Sequence, residues 1–162
     1  MAEPTIVHSA FVIEQSYAAP PARLFAALSD PESKRRWYHH GENHKVGDYR
    51  MEFRVGGVEE WEATFNAGSP FPGARLASRG VILDIVPDAR IVLAADMSIE
   101  QRRFSVSLIT FEIAAEGAGC RLFFTHQGAF FEGSDGPERR EEGWRKLLAR
   151  LKLEVERVAA EA

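Results

Sequence analysis

His126 is the polar residue with the most chemical promise in this sequence. It falls in Arg121–Gln127, where strand alternation puts it on one face with Leu122 and Phe124. An imidazole among apolar neighbours can orient a ligand or move a proton. The competing reading is a core histidine hydrogen-bonded to backbone. His39, His40 and His44 form an H-H-x3-H cluster with Glu42 nearby. Zinc would need a helix or hairpin to converge those rings. His39–Gly47 instead reads as a polar loop that could border the mouth of an interior site. Glu60 and Glu62 share a strand face, and paired carboxylates do acid–base work when buried. Their alternation with Trp61 and Ala63 turns them toward solvent, as it does Arg50 and Arg54. Arg102-Arg103 is a turn and at most an anion contact. Cys120 stands beside Arg121, which would lower its thiol pKa, but no histidine is near it in sequence. Gly56-Gly57 and Gly117-Ala118-Gly119 join strand to strand, so neither presents a helix N-terminus to phosphate. No catalytic set, metal or cofactor is assigned.

The elements that would position these residues follow from periodicity. Ile6–Tyr17 is a strand ended by Pro20-Pro21. Ala22–Leu28 reads as a short helix, and Asp30-Pro31 opens a second through Trp37-Tyr38. Tyr49–Val55 alternates as a strand, with Tyr49, Met51, Phe53 and Val55 on one face. Val58–Asn66 alternates after a Gly-Gly turn, and Ala67–Gly73 is a loop carrying Phe71. Ala77–Val86, Arg90–Ser98, Phe104–Ile113 and Arg121–Gln127 are further strands. The phase changes within Phe104–Ile113, which predicts a β-bulge near Leu108. Trp144, Leu147, Leu148, Leu151, Val155 and Val158 recur at helical spacing and mark a long amphipathic helix, with Arg139 and Arg140 among its polar positions. Asp135 is its expected cap, with Pro137 in the first turn and Glu138 at the capping-box position.

The chain has 162 residues, a length that suits one domain over 1–162. Its 24 acidic and 20 basic residues leave a net charge of -4, which argues against nucleic acid or an anionic membrane surface as partner. One cysteine excludes an internal disulfide and a CxxC pair. No apolar run approaches a membrane span, and Met1–Thr5 lacks the basic start of a signal peptide, so a cytoplasmic protein is expected. Eleven Phe and three Trp must then line something.

Three stretches carry a resemblance. They are Tyr17–Pro31 followed by Trp37; Phe53-Arg54-Val55-Gly56-Gly57 followed by Gly80–Leu93; and Glu142-Gly143-Trp144 with Leu147, Leu151 and Glu154. In this order and spacing the sequence resembles the SRPBCC (START-like, helix-grip) superfamily. Within it, the chain is similar to the C-terminal domain of the activator of the 90-kDa heat-shock protein's ATPase. The resemblance implies an α+β fold: a curved antiparallel sheet of about six to seven strands wrapped around a long C-terminal helix, with two short helices after the first strand. It also implies an apolar cavity between sheet and helix, and no shared catalytic set.

The candidate cavity residues are Trp37, Met51, Phe53, Trp61, Phe65, Phe71, Met97, Phe104, Phe124, His126, Trp144 and Leu148. For any one of these, ordinary core packing is the competing reading. The leading expectation is binding of a small apolar molecule. The alternatives are a stress-response module that binds and stimulates a heat-shock ATPase, as the resemblance implies, and a cyclase-, dehydratase- or hydrolase-type enzyme using cavity polar groups such as His126.

Overall fold

The computed structural model describes residues 1–161, with side chains described through Arg157. Strand β1 (Val7–Tyr17) stops before Pro20, and helix α1 (Pro21–Ser29) starts with Pro21 at its first position, where a missing amide hydrogen costs nothing. Helix α2 (Pro31–Trp37) follows at once, and the Asp30 carboxylate caps it by accepting from the Ser33 amide at 3.0 Å. Six strands come next: β2 (His44–Met51), β3 (Val58–Phe65), β4 (Arg75–Val86), β5 (Arg90–Ile99), β6 (Arg102–Glu116) and β7 (Gly119–Phe130). The chain closes with helix α3 (Pro137–Glu161).

All seven strands pair antiparallel in the order β1-β7-β6-β5-β4-β3-β2. β1 and β2 are therefore the two edges. The two short helices carry the chain between them, and the meander from β2 to β7 returns to pair with β1. An antiparallel sheet needs one face covered, and α3 with α1 and α2 covers the inner one. Leu24, Leu28, Trp37, Phe111, Leu122, Phe124, Leu148, Leu151 and Val155 form the core between these layers. This is the expected α+β helix-grip architecture.

Four local expectations are corrected. The segment read as a loop to Gly47 is already strand from His44, because β2 pairs His44 with Phe65 across a register shift between Val46 and Tyr49. β2 in turn ends at Met51, so Phe53 and Val55 lie beyond it, and Val55 is 58% exposed. The bulge lies at Phe104, not near Leu108. Ser105 pairs Met97 and Arg103 pairs Ser98, leaving Phe104 as the extra residue. That insertion lets both Phe104 and Ser105 be buried and sets Ser107, Ile109, Phe111 and Ile113 inward. Finally, α3 begins at Pro137 after Gly136, and the Asp135 carboxylate holds the Arg140 guanidinium rather than a helix amide. Val158, read as the last apolar position of the helix, lies outside the described side chains.

Candidate functional site

The inner face of the sheet has one row in which side-chain volume nearly vanishes. Register aligns Glu59, Gly80, Ala95, Ser107, Gly128 and Ser9 across six strands, and nothing between Glu59 and Ser9 is larger than Ser107. Small residues in line leave a trough that larger neighbours lean into. A Cβ on Gly128 would stand 2.7 Å from the Phe130 ring and 3.0 Å from His126 Cε1, so glycine here makes room for both rings.

On one side of the trough the interior is closed. Phe111, Phe124 and Trp144 meet ring to ring, with the last two centroids 4.4 Å apart, and Leu148 packs with them fully buried. Trp37 is in this group, its indole donating to the Ala27 carbonyl at 2.9 Å. His126 is fully buried, stacked on Phe11 at 4.9 Å and flanked by Phe130 at 6.1 Å. Neither of its ring nitrogens has a hydrogen-bond partner, nor does the Ser107 hydroxyl. Burial, with the nearby Arg140 charge, pushes the His126 pKa down to about 4, so the ring is neutral near pH 7.

The interior also holds charged side chains. The Lys34 ammonium lies 2.7 Å from Glu59, both buried, and the Tyr49 hydroxyl donates to the same carboxylate at 2.6 Å. Burial and that carboxylate raise the Tyr49 pKa. Tyr38 stacks on Trp144, accepts from the Trp61 indole at 3.2 Å, and has its own pKa raised by burial. Arg140 grips Asp135 through two nitrogens at 2.9 Å, donates to the Ser105 hydroxyl at 2.8 Å, and lies over the Phe130 ring. A lone buried charge would be costly, and each of these is paired. Each also had a sequence signal. Lys34 is three residues before Trp37 and Arg140 four before Trp144, both helical neighbours of an inward ring, while Glu59 is two before Trp61 on a strand.

The other side of the trough is open. Phe104, Leu76 and Ala63 form a second, smaller cluster, with Trp61, Phe65, Met97 and Ile99 only partly buried against it. Beside it is a cleft of about 540 Å³ between the ends of β3–β6 and the start of α3, walled by Phe65, Phe71, Leu76, Ile99 and Phe104. Its volume falls inside the ~300–1,000 Å³ range usual for small-molecule sites. Phe71, 57% exposed, reaches the Phe65 ring at 6.0 Å from its loop. Of the remaining candidates, Met51 is buried on β2, and Phe53 packs edge-on against Phe25 at 5.7 Å, away from the cleft.

A larger groove of about 1150 Å³ runs past the β2 edge, but Arg50, Glu60, Arg79 and Asp96 in its lining neutralise one another or neighbouring arginines in ion pairs. Glu60 and Glu62 do face outward, each paired with an arginine. The histidine cluster does not converge. His39 is bonded to the Gly47 carbonyl, His40 is exposed, and His44 meets Phe65 edge-on. Among the described residues no group of three or more His, Cys, Asp or Glu is placed to hold a metal ion. Cys120 is buried on β7, and burial raises its thiol pKa against the lowering expected from Arg121. No described helix is long and apolar enough to cross a membrane.

The profile described as "Activator of Hsp90 ATPase homolog 1-like protein" matches residues 18–156. The chain belongs to this family. Two solved structures are similar to it across nearly their whole lengths. One, from Rhizobium leguminosarum, is 36% identical, covers 94% of this chain and 97% of its own, and superposes with a TM-score of 0.86. The other, from Rhizobium loti, is 40% identical, covers 93% and 99%, and has a TM-score of 0.82. A structure from Chromobacterium violaceum is 25% identical, covers 91% and 96%, and has a TM-score of 0.72. No curated protein matches the chain. Membership in the family accounts for the helix-grip layout and is consistent with a ligand-binding domain.

Proposed function

We propose that this family member binds a small, largely apolar molecule in the cleft walled by Phe65, Phe71, Leu76, Ile99 and Phe104. The observation that carries the reading is the division of the interior. The same sheet that is packed solid around Phe124 leaves large apolar side chains facing a 540 Å³ space at the other end. Exposed apolar surface gathered in a concavity is what a ligand of matching character covers. A single buried thiol, Cys120, fits a reducing cytoplasm. Thermal unfolding with a panel of apolar small molecules, followed by native mass spectrometry of any hit, tests the reading. A saturable rise in Tm with one-to-one stoichiometry is expected. A panel in which nothing raises Tm and nothing co-purifies or adds mass would overturn it.

The family match favours a second reading, a module that binds and stimulates a heat-shock ATPase. Pull-down with such an ATPase and assay of its turnover separates the two. A rate increase that survives Phe104→Ser and Phe65→Ser supports the second reading, because that activity would not need the cleft.

A further inference from the structure

The charges at the mouth of the cleft narrow the class of ligand, given the cleft reading on which this inference rests. Eleven arginines have a carboxylate partner: Arg36, Arg50, Arg54, Arg75, Arg79, Arg90, Arg103, Arg121, Arg140, Arg145 and Arg157. Arg35 donates to the Tyr49 carbonyl. Among the described residues, Arg102, Arg139 and Arg150 are left with neither an ion pair nor a hydrogen bond, and Arg102 and Arg139 line the same cleft. This pairing of free cations occurs in a chain whose carboxylates outnumber its cations, 24 to 20.

The two acids in the lining are committed elsewhere. Asp135 takes both of its charge-assisted bonds from Arg140. Glu100 accepts from the Arg75 backbone amide at 2.7 Å. Arg102 is also placed rather than loose, since its guanidinium lies against Gly133, where a Cβ would come within 2.9 Å of Nη2. Gly133 has φ +82°, a conformation that by itself favours glycine, so the loop before α3 accommodates the arginine at the mouth. Apolar walls thus lead out to two arginines with unused donors.

We propose that the ligand is an anionic amphiphile, a chain or ring system with one carboxylate-type head. Its apolar body lies against Phe65, Leu76, Ile99 and Phe104, and its head lies between Arg102 and Arg139. Guanidinium forks match a carboxylate's geometry and charge, while a hydroxyl head would gain little from them.

Decanoate and decanol, titrated separately into the intact chain by calorimetry, test this. Decanoate binds about tenfold tighter than decanol, the order expected of two partly exposed charge contacts. Its advantage shrinks as salt is raised. The double variant Arg102→Gln, Arg139→Gln removes that advantage and leaves decanol binding as it was; both positions are exposed, and an unchanged Tm confirms the fold. Equal binding of acid and alcohol by the wild type, or a preference that survives the double substitution, overturns the inference while leaving the cleft as a ligand site. Failure of both probes to bind overturns the cleft reading and the inference together.

Discussion

Phe124 at the closed end of the interior and Phe71 at the open end carry the same ring in opposite circumstances. Phe124 is fully buried, 4.4 Å from Trp144 and enclosed by Phe111 and Leu148. Phe71 sits on a loop, with Phe65 its closest ring partner, and lines a cleft walled also by Leu76, Ile99 and Phe104. The difference comes from how far the helices extend over the sheet. The main core under α1, α2 and α3 takes in Ile82, Ile91 and Leu93 of β4 and β5 along with Phe111 and Phe124, whereas the start of α3 only borders the cleft beside the smaller cluster of Ala63, Leu76 and Phe104. Apolar residues under the helices stabilise the fold. Apolar residues of the smaller cluster, Phe65 and Ile99 among them, stay partly exposed along the cleft.

The sharpest test of that contrast is truncation at each end. Phe124→Ala removes a ring from a site that cannot collapse, and a loss of about 3–5 kcal/mol in urea unfolding is expected. Phe71→Ala should lose under about 1 kcal/mol in the same experiment while weakening binding of a cleft ligand. Equal stability losses would erase the distinction between the two ends.

The buried charges come next in size. Glu59→Gln leaves the Lys34 ammonium buried without a counter-charge, for an expected loss of about 3 kcal/mol. Lys34→Met combined with Glu59→Leu removes both charges and should recover most of it. If the single substitution is silent, the Lys34–Glu59–Tyr49 contact is not holding α2 against β2 and β3.

The acid side probes the packed end through His126. The unfolded imidazole takes a proton near pH 6.5, but the folded one resists until about pH 4. The unfolded state therefore binds more protons in that window. The contribution of His126 to stability is constant above this window and falls as pH drops from about 6.5 to about 4, by roughly 3 kcal/mol. Arg140 opposes protonation, and Asp135 offsets it in part. His126→Phe should flatten most of this slope and leave stability at pH 7 equal or higher, since two unsatisfied nitrogens go with it. His39 and His44, whose pKa values are also lowered by burial, supply what slope remains. An unchanged profile in the variant would show that His126 is not the acid-sensitive group.

The trough supplies an effect smaller than those of Phe124, the Lys34–Glu59 pair and His126. Gly128→Ala should cost about 1–3 kcal/mol, because the added methyl overpacks against Phe130 and His126. Gly80→Ala, whose Cβ would meet its neighbours at 3.3 Å, should cost less.

The fold was legible because its signals are local and repeated. Alternation in Glu60–Phe65, proline at the first position of both short helices, and the apolar stripe from Trp144 to Val155 each determine an element independently. The bulge was detectable as a phase change but misplaced by four residues, since alternation shows that a slip occurred without showing which residue the partner strand leaves unpaired. The candidate site was less legible. The sequence named Phe65, Phe71 and Phe104 but grouped them with Trp37, Phe124 and Leu148, because burial depends on where helices end in space and not on residue type. Lys34 and Glu59 carry no expectation, and Arg140 reads only as a polar position of the long helix, because charged residues usually face solvent. Their spacing from Trp37, Trp61 and Trp144 already placed them inside.

The most direct test of the central claim is amide chemical-shift mapping of the protein titrated with decanoate. Saturable shifts are expected at Phe65, Leu76, Ile99, Phe104 and Gly133, with Leu24, Phe111, Phe124 and Leu148 unmoved. Saturable shifts centred on Phe124 and Leu148, or none at the cleft at any concentration, would contradict it.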